Sequence, residues 1–237
     1  MLKNRRIGLS QSGVVQAFNK HGRREMLTWC DNAYKYVQQL DEEYSDWLCI
    51  PKSVRMTSIK PSGTVSLLNG STPGVHFPED EYYIRRIRFS KSNTMLDTLA
   101  KAGYNIEDDK YSPNTVCVEF PVHEKYFVQG KKDVSMWEQL EIAAQYQHYW
   151  ADNSVSITVT FKPEEATQLQ SALEMYETRL KAVSFLKYEE TGYEQAPYEA
   201  ITKERYEEIA AKIKPIKRFK SAAGSGTKYC DSESCTI

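Results

Sequence analysis

Apolar positions recur at three- and four-residue steps along the first part of the chain. Met26, Trp29, Cys30, Ala33, Tyr34, Val37 and Leu40 form one stripe, which predicts a helix over residues 22–40. Val14, Val15 and Phe18 predict an earlier helix, parted from it near His21 and Gly22. Residues 92–103 read as helix ending at Gly103, and NTVCVEF as a strand with Val116, Val118 and Phe120 on one face. Ser135-Met136-Trp137-Glu138 has capping-box spacing and predicts a helix to about Trp150. SVSITVTF alternates, with Val155, Ile157, Val159 and Phe161 opposed to Ser156, Thr158 and Thr160. Pro163 opens a helix whose inner stripe is Ala166, Leu169, Leu173, Tyr176 and Leu180. AVSFL, residues 182–186, reads as a short buried strand, so residues 154–186 form a β-α-β unit with parallel strands and a right-handed crossover. Thr202 caps a last helix through about Ile213, which Pro215 ends. A strand with one polar face in an α/β protein points to a polar interior, as a barrel around a binding site would have.

Two stretches break the periodicity. Residues 57–77, TSIKPSGTVSLLNGSTPGVHF, are rich in Gly, Ser, Thr and Pro around the short apolar piece VSLL. Within them, KPSGTVS combines a glycine that permits close backbone approach with the hydroxyls of Ser62, Thr64 and Ser66. Successive N–H groups in such a turn can hold an anion, the more so if VSLL begins a helix. The Walker spacing is absent, and an ordinary capped turn accounts for the same residues. Downstream, Arg85, Arg86 and Arg88 form a basic cluster that reads as a salt-bridged strand face, given Glu79, Asp80 and Glu81 close by. His76, between Gly74 and Pro78, reads as a packing or hydrogen-bonding residue. The second break follows Arg218. Residues 219–237 include SAAGSG and offer few large apolar side chains, which predicts a flexible tail.

Composition narrows the classes. The 237 residues suffice for a sizeable core, and 41% hydrophobic with 27% charged residues fits a globular chain. A net charge of −1 selects neither nucleic acid nor an anionic membrane. No apolar run spans a membrane, and MLKNRRIGLSQSG lacks a signal-peptide core, so the expected compartment is the cytoplasm. There, disulfides are mostly transient and catalytic. Cys30, Cys49, Cys117, Cys230 and Cys235 are odd in number and widely scattered, unlike a disulfide framework. Cys30 and Cys49 read as small buried apolar residues. Cys230 and Cys235 supply only two metal ligands, so no metal site is expected. They stand at the end of a leash from Phe219 to Tyr229, which as a coil spans about 18 Å and fully extended about 35 Å. The spacer DSES lets the two sulfurs meet, which thiol–disulfide exchange requires. A disordered end with incidental cysteines is the plain alternative.

The ordered set NRRIGLS, IKPSGTVSLL, TPGVHFP with YYIRRIR, WADNSVSITVTF and a terminal C-x4-C resembles adenosylcobalamin-dependent (class II) ribonucleotide reductase. It looks most like the monomeric type that acts on ribonucleoside triphosphates. The resemblance runs from about Asn4 to Tyr198, plus the tail. It implies an α/β fold, residues 1–218 being the C-terminal part of a ten-stranded α/β barrel and residues 219–237 a redox-active tail. In that family a thiyl radical generated by adenosylcobalamin takes the ribose 3′-hydrogen, and a cysteine pair supplies the electrons that replace the 2′-hydroxyl by hydrogen. Ser62, Gly63, Thr64, Val65 and Ser66 match the substrate-phosphate loop. Cys230 and Cys235 match the tail pair that re-reduces the active-site disulfide. The implied partners are a ribonucleoside triphosphate, a thioredoxin-like reductant and the N-terminal part of the reductase, with no membrane and no direct nucleic acid. Adenosylcobalamin would be bound mainly by parts beside this chain. The family's thiyl cysteine and internal pair lie upstream of the matching stretch, and Cys30, Cys49 and Cys117 do not stand for them. The chain is therefore expected to be a fragment or split subunit, inactive by itself. A nucleotide-binding or thiol–disulfide shuttle module, or a diphosphate-specific reductase, are the alternatives.

Overall fold

A computed structural model describes residues 5–188 and 194–216. In chain order the elements are β1 (Arg6–Leu9), α1 (Val14–His21), α2 (Arg23–Trp47), β2 (Arg55–Thr57), α3 (Val65–Leu68), β3 (Tyr82–Ser90), α4 (Leu96–Ala102), β4 (Ile106–Asp108), β5 (Thr115–His123), α5 (Met136–Tyr149), β6 (Thr158–Phe161), α6 (Leu169–Tyr176), β7 (Ser184–Lys187), β8 (Tyr198–Ala200) and α7 (Lys203–Lys212). The chain divides into two compact units, residues 1–82 with 123–192, and residues 83–122 with 193–237. The expected boundary at 218/219 lies outside the described residues. Among the described residues no helix is long and apolar enough to cross a membrane.

The first unit is built on parallel strand pairing. β1 pairs with β2, β6 pairs with β7, and an isolated parallel bridge joins Ile59 to Val155. Backbone hydrogen bonds carry the ladder across: Ser58 N–H to Leu9 C=O (2.9 Å), Ser156 N–H to Ile59 C=O (2.9 Å) and Ser184 N–H to Ile157 C=O (3.2 Å). Strands buried by helices read as apolar on the covered side, and Ile59, Val155 and Val159 are fully buried. The helix that covers them is α5, packed against α2, β6 and α6. Met136, Leu140, Ile142, Ala143, Ala144 and Tyr146 are all buried, so α5 is apolar on nearly every face, as a surrounded helix must be. Its Gln139 amide forms two bonds with the Thr160 backbone, donating to the C=O and accepting from the N–H, both at 2.9 Å. That side chain acts as an extra strand rung.

Several expectations hold. The helix break falls at Gly22, Ser135 accepts the Glu138 N–H at 3.2 Å, and Thr202 accepts the Arg205 N–H at 3.3 Å. Only half of the Ser135 capping box forms, because the Glu138 carboxylate pairs with Arg23 at 3.0 Å instead. Others need correction. In α2, Trp29 and Ala33 face out, while Leu27 and Cys30 are buried. Pro163–Gln168 is a 3-10 turn, and the inner stripe after it is Glu165, Leu169, Ala172 and Tyr176, with Leu173 exposed. Glu165 turns inward because its carboxylate accepts the N–H groups of Met136 (2.9 Å) and Lys162 (2.8 Å). β7 is an exposed edge strand, with Leu186 59% exposed. Cys49 is exposed with φ of 51°, whereas Cys30 is buried as expected.

The second unit is an antiparallel sheet in the order β4-β5-β3-β8. β5 is covered on both faces, since Val116, Cys117 and Val118 are all buried. The arginine cluster is neutralised as a salt-bridged face, though with other carboxylates than the nearest in sequence. Arg86 bridges Glu119 (2.7 Å) and Glu199, Arg88 meets the buried Asp109 at 3.1 Å, and Arg85 lies 4.3 Å over the Tyr198 ring. Glu79 and Asp80 pair with Lys131 and Lys132 instead. The end of α7 meets the end of α4, with Lys214 N–H donating to Ala102 C=O at 2.8 Å. Gly103, at φ 94°, makes this possible, for a Cβ there would stand 2.4 Å from the Lys212 carbonyl oxygen. Ten barrel strands do not occur among the described residues. Four parallel segments in one unit and an antiparallel sheet in the other stand in their place.

Candidate functional site

The loop Lys60–Ser66 leaves the parallel ladder just after Ile59. Its first residue is pinned from two sides. The Lys60 N–H donates to Ser10 Oγ at 2.9 Å, and Gly74 approaches so closely that a Cβ would lie 3.1 Å from the Lys60 carbonyl oxygen. Where β2 departs, its neighbour loses a partner, because the Thr158 N–H has no next residue of β2 to meet. His76 Nε2 accepts that N–H at 3.2 Å, and Nδ1 bonds the Pro73 C=O at 3.1 Å. One ring nitrogen must accept from an N–H and the other must donate to a C=O, which fixes the tautomer with the proton on Nδ1. Burial pushes the His76 pKa down, and Lys131 pushes it the same way. The imidazole therefore serves as a neutral surrogate for a strand, in keeping with its expected hydrogen-bonding role.

Beyond Pro61 the loop turns into the single-turn helix α3. Ser62 and Gly63 are half-buried, Thr64 and Val65 are exposed, and Ser66 is buried. The Ser66 N–H donates to Ser62 Oγ at 3.3 Å, and the Ser66 hydroxyl donates to the Ser62 carbonyl. These bonds close the turn on itself, so Ser66 is a brace and its O–H is committed inward. Thr64, at the N-cap position, makes no side-chain cap bond. The structure thus gathers Ser62, Gly63, Thr64, Val65 and Ser66 into one turn past the carboxyl end of a parallel strand, the position where open α/β sheets bind ligands.

Behind this turn stands Gln16 of α1. Its amide donates to the Gly70 C=O (3.0 Å) and to the buried Glu124 carboxylate, and accepts the Thr72 N–H (3.2 Å). Burial pushes the Glu124 pKa up, and the bond from Gln16 partly offsets this. Gln16, Lys20, His21, Gly70, Ser71 and Tyr126 line a cleft of about 590 Å³. On the far side of β2, the Asp152 carboxylate accepts the N–H groups of Met56 and Thr57, both at 2.9 Å, and the Thr57 hydroxyl at 3.1 Å. Nothing in the hydrophobic pattern marked Gln16, Glu124 or Asp152. Each is a polar residue whose partners lie 50 or more positions away, and spacing carries no trace of them.

Cys230 and Cys235 lie outside the described residues. Of the remaining cysteines, Cys30 is packed beneath Gln11 and Tyr146, and burial raises its thiol pKa. Cys117 is buried in β5, and its thiol pKa is likewise raised by burial. Neither is poised as a thiolate nucleophile. No group of three or more His, Cys, Asp or Glu that could hold a metal ion occurs among the described residues.

With this geometry in place, comparison with known proteins becomes decisive. No protein-family model matches the chain. A probable adenosylcobalamin-dependent ribonucleoside-triphosphate reductase of Dictyostelium discoideum is 46% identical over 245 residues, covering 100% of this chain and 32% of the relative. The adenosylcobalamin-dependent ribonucleoside-triphosphate reductase of Euglena gracilis is 45% identical, covering 99% of this chain and 34% of its own length. The chain is homologous to part of the class II ribonucleotide reductases. A crystal structure of a B12-dependent, class II ribonucleotide reductase superposes with a TM-score of 0.77 at 36% identity, over 90% of this chain and 34% of that one. The chain spans about a third of the length of the class II reductases it matches. The resemblance read from the motifs is thereby borne out at the level of the family.

Proposed function

We propose that this chain works as the C-terminal part of an adenosylcobalamin-dependent ribonucleoside-triphosphate reductase, which converts ribonucleotides to deoxyribonucleotides for DNA synthesis. The observation that carries this reading is the PSGTVS turn, seated past the end of β2 in a chain that matches such reductases along its whole length. The substrate is a ribonucleoside triphosphate, the relatives being triphosphate reductases. Ser62–Ser66 receives its phosphates, with the exposed Thr64 facing the ligand and Ser66 holding the turn closed.

Adenosylcobalamin, when bound, supplies the radical that starts the reaction. Its corrin and appended groups exceed the 590 Å³ cleft, so the residues here fit the cofactor only as a neighbouring wall. The corrin brings its own cobalt ligation, so no metal-ligand cluster is required of this chain. The remaining chemistry assigned here is thiol exchange. Reduction of the ribose leaves a disulfide elsewhere in the enzyme. A thiolate of Cys230 or Cys235 attacks one sulfur and displaces the other as thiolate, and the second tail cysteine resolves the mixed disulfide. The electron pair moves from the tail to the active site, and a thioredoxin-like dithiol reduces the tail in turn.

The test joins this chain to a polypeptide carrying the remaining two-thirds of the reductase, with adenosylcobalamin, a triphosphate and thioredoxin. Deoxynucleotide should appear only with both parts present. Cys230→Ser and Cys235→Ser should each abolish thioredoxin-supported turnover while sparing most activity with a small dithiol, which reaches the internal disulfide directly. Equal loss with both reductants rejects the shuttle, and no product from parts that fold and associate rejects the assignment.

A further inference from the structure

Ser66 closes the turn Ser62–Ser66 on itself, but the turn does not fix its own place on the ladder. α3 has four residues and no side-chain cap, too few for helical hydrogen bonds alone to keep a fixed geometry. It is held from behind by residues 69–72. The Ser71 N–H donates to the Ser66 C=O at 3.0 Å, and the Gly70 N–H to the Leu67 C=O at 3.1 Å. That segment in turn is held by one side chain. Gln16 grips the Gly70 carbonyl with its NH2 group and the Thr72 amide with its oxygen, while Gly13 N–H bonds the Thr72 C=O at 2.8 Å.

Glu124 reinforces the way the Gln16 amide faces, which the Gly70 carbonyl and the Thr72 N–H also require. A side-chain amide has an accepting end and a donating end of the same shape, and can sit either way round. A carboxylate beside it accepts only, so the NH2 end must face Glu124 and the oxygen must face the Thr72 N–H. Glu124 is 3% exposed, and its carboxyl accepts from this amide. Burying a carboxyl against a neutral amide costs stability that an apolar residue would not. The Thr72 hydroxyl, buried without a hydrogen-bond partner among the described residues, is a second unfavourable feature of the same network. Two such costs side by side indicate that the network is maintained for its geometry.

We propose that Glu124 and Gln16 are positioning residues for the phosphate turn, fixing Ser62–Ser66 from behind through Gly70, Ser71 and Thr72. This rests on the assignment of that turn to the substrate's phosphates. Neither side chain needs to touch the substrate. Their effect is on how well the turn is preorganised, and so on triphosphate affinity.

The experiment uses the full-length reductase containing this chain. Gln16→Ala and Glu124→Leu should raise KM for the triphosphate about tenfold, the scale of losing one charge-assisted hydrogen bond, with kcat changed less than about twofold. Glu124→Gln keeps an acceptor beside the amide and should restore KM to within about threefold of the parent. Inorganic triphosphate, tested as a competitive inhibitor, should weaken in parallel with the substrate, while the unphosphorylated nucleoside should bind each variant as it binds the parent. If the larger changes unfold the protein, Gln16→Asn, which shortens the reach by one methylene, carries the same expectation. A fall in kcat with KM unchanged, or equal weakening of nucleoside and triphosphate, overturns the proposal. Gly63→Val separates this from the reading beneath it. Unchanged KM in Gly63→Val rejects the turn as the phosphate site, whereas raised KM there with no effect at Gln16 or Glu124 rejects only the positioning role.

Discussion

His76 shows how much one side chain can settle. It fills the gap left in the ladder when β2 turns away, and it does so only as a neutral ring. Its pKa lies below the usual 6.5, chiefly through burial. As pH falls through about 6.5, the unfolded chain takes up a proton that the folded ring resists, so acid favours unfolding. The sign is thus a loss of stability on acidification, beginning near 6.5 and continuing down to the folded pKa. His76→Gln, which keeps an acceptor for the Thr158 N–H, should flatten that part of the profile. Melting temperatures of both forms between pH 7.5 and pH 5, in the same buffers, check this, and parallel profiles would exclude the ring as the titrating group. The hydrogen-bonding role of His76 was legible from its tight Gly-Pro surroundings. Its partner was not, since Thr158 lies 82 positions away. The same holds for Asp152, which reaches back across 95 residues to hold Thr57.

At the level of elements, periodicity located α1, α2, α5, β6, α6 and β7 of the first unit, because burial against a common core imposes it, and it missed the short strands β1 and β2, which are too brief to show a period. It failed where a polar residue faced inward for a local reason. The stripe after Pro163 is shifted because Glu165 is drawn in by the amide groups of Met136 and Lys162. α2 extends past Leu40 to Trp47 because its last turns ask little of burial: Tyr44 and Trp47 are exposed. Its end explains Cys49. The Ile50 N–H bonds the Ser45 C=O at 3.0 Å, and the Cys49 N–H bonds the Asp46 C=O at 3.2 Å. This is the Schellman arrangement, which places a left-handed residue at the position Cys49 occupies. Cysteine there bears a cost that glycine would not, so Cys49→Gly should stabilise the protein by about 1 kcal/mol. Denaturant midpoints at equal slope would measure it, and no gain would mean that the strain is relieved elsewhere.

For the whole molecule, the parallel ladder of the first unit ends on β1 and β7 with no further strand beside either among the described residues. β1 exposes Ile7 and Leu9, and β7 exposes Leu186, with the backbone edges beside them. Unpaired strand edges bearing apolar side chains invite further strands. In the class II relatives another two-thirds of polypeptide is present to supply them. The chain expressed alone should therefore self-associate at micromolar concentration and become monodisperse on adding the complementary portion, as read by light scattering. A stable solitary monomer would count against an incomplete sheet. The resemblance already implied only part of a barrel wall, but local patterns do not say which strands end it; pairing order shows that β1 and β7 do, among the described residues.

The close approach at Gly103 reaches further than its own helix ends. By seating Lys212 and Lys214 against the end of α4, it moors the chain at a set place 16 positions before Cys230. On the exchange role proposed above, a flexible coil of that length would span about 22 Å, so the mooring bounds the distance over which the tail dithiol is offered. Where the mooring stands thus sets the local concentration of dithiol at any target within range. A side chain at residue 103 would slip the anchor and dilute the sulfur without altering either cysteine.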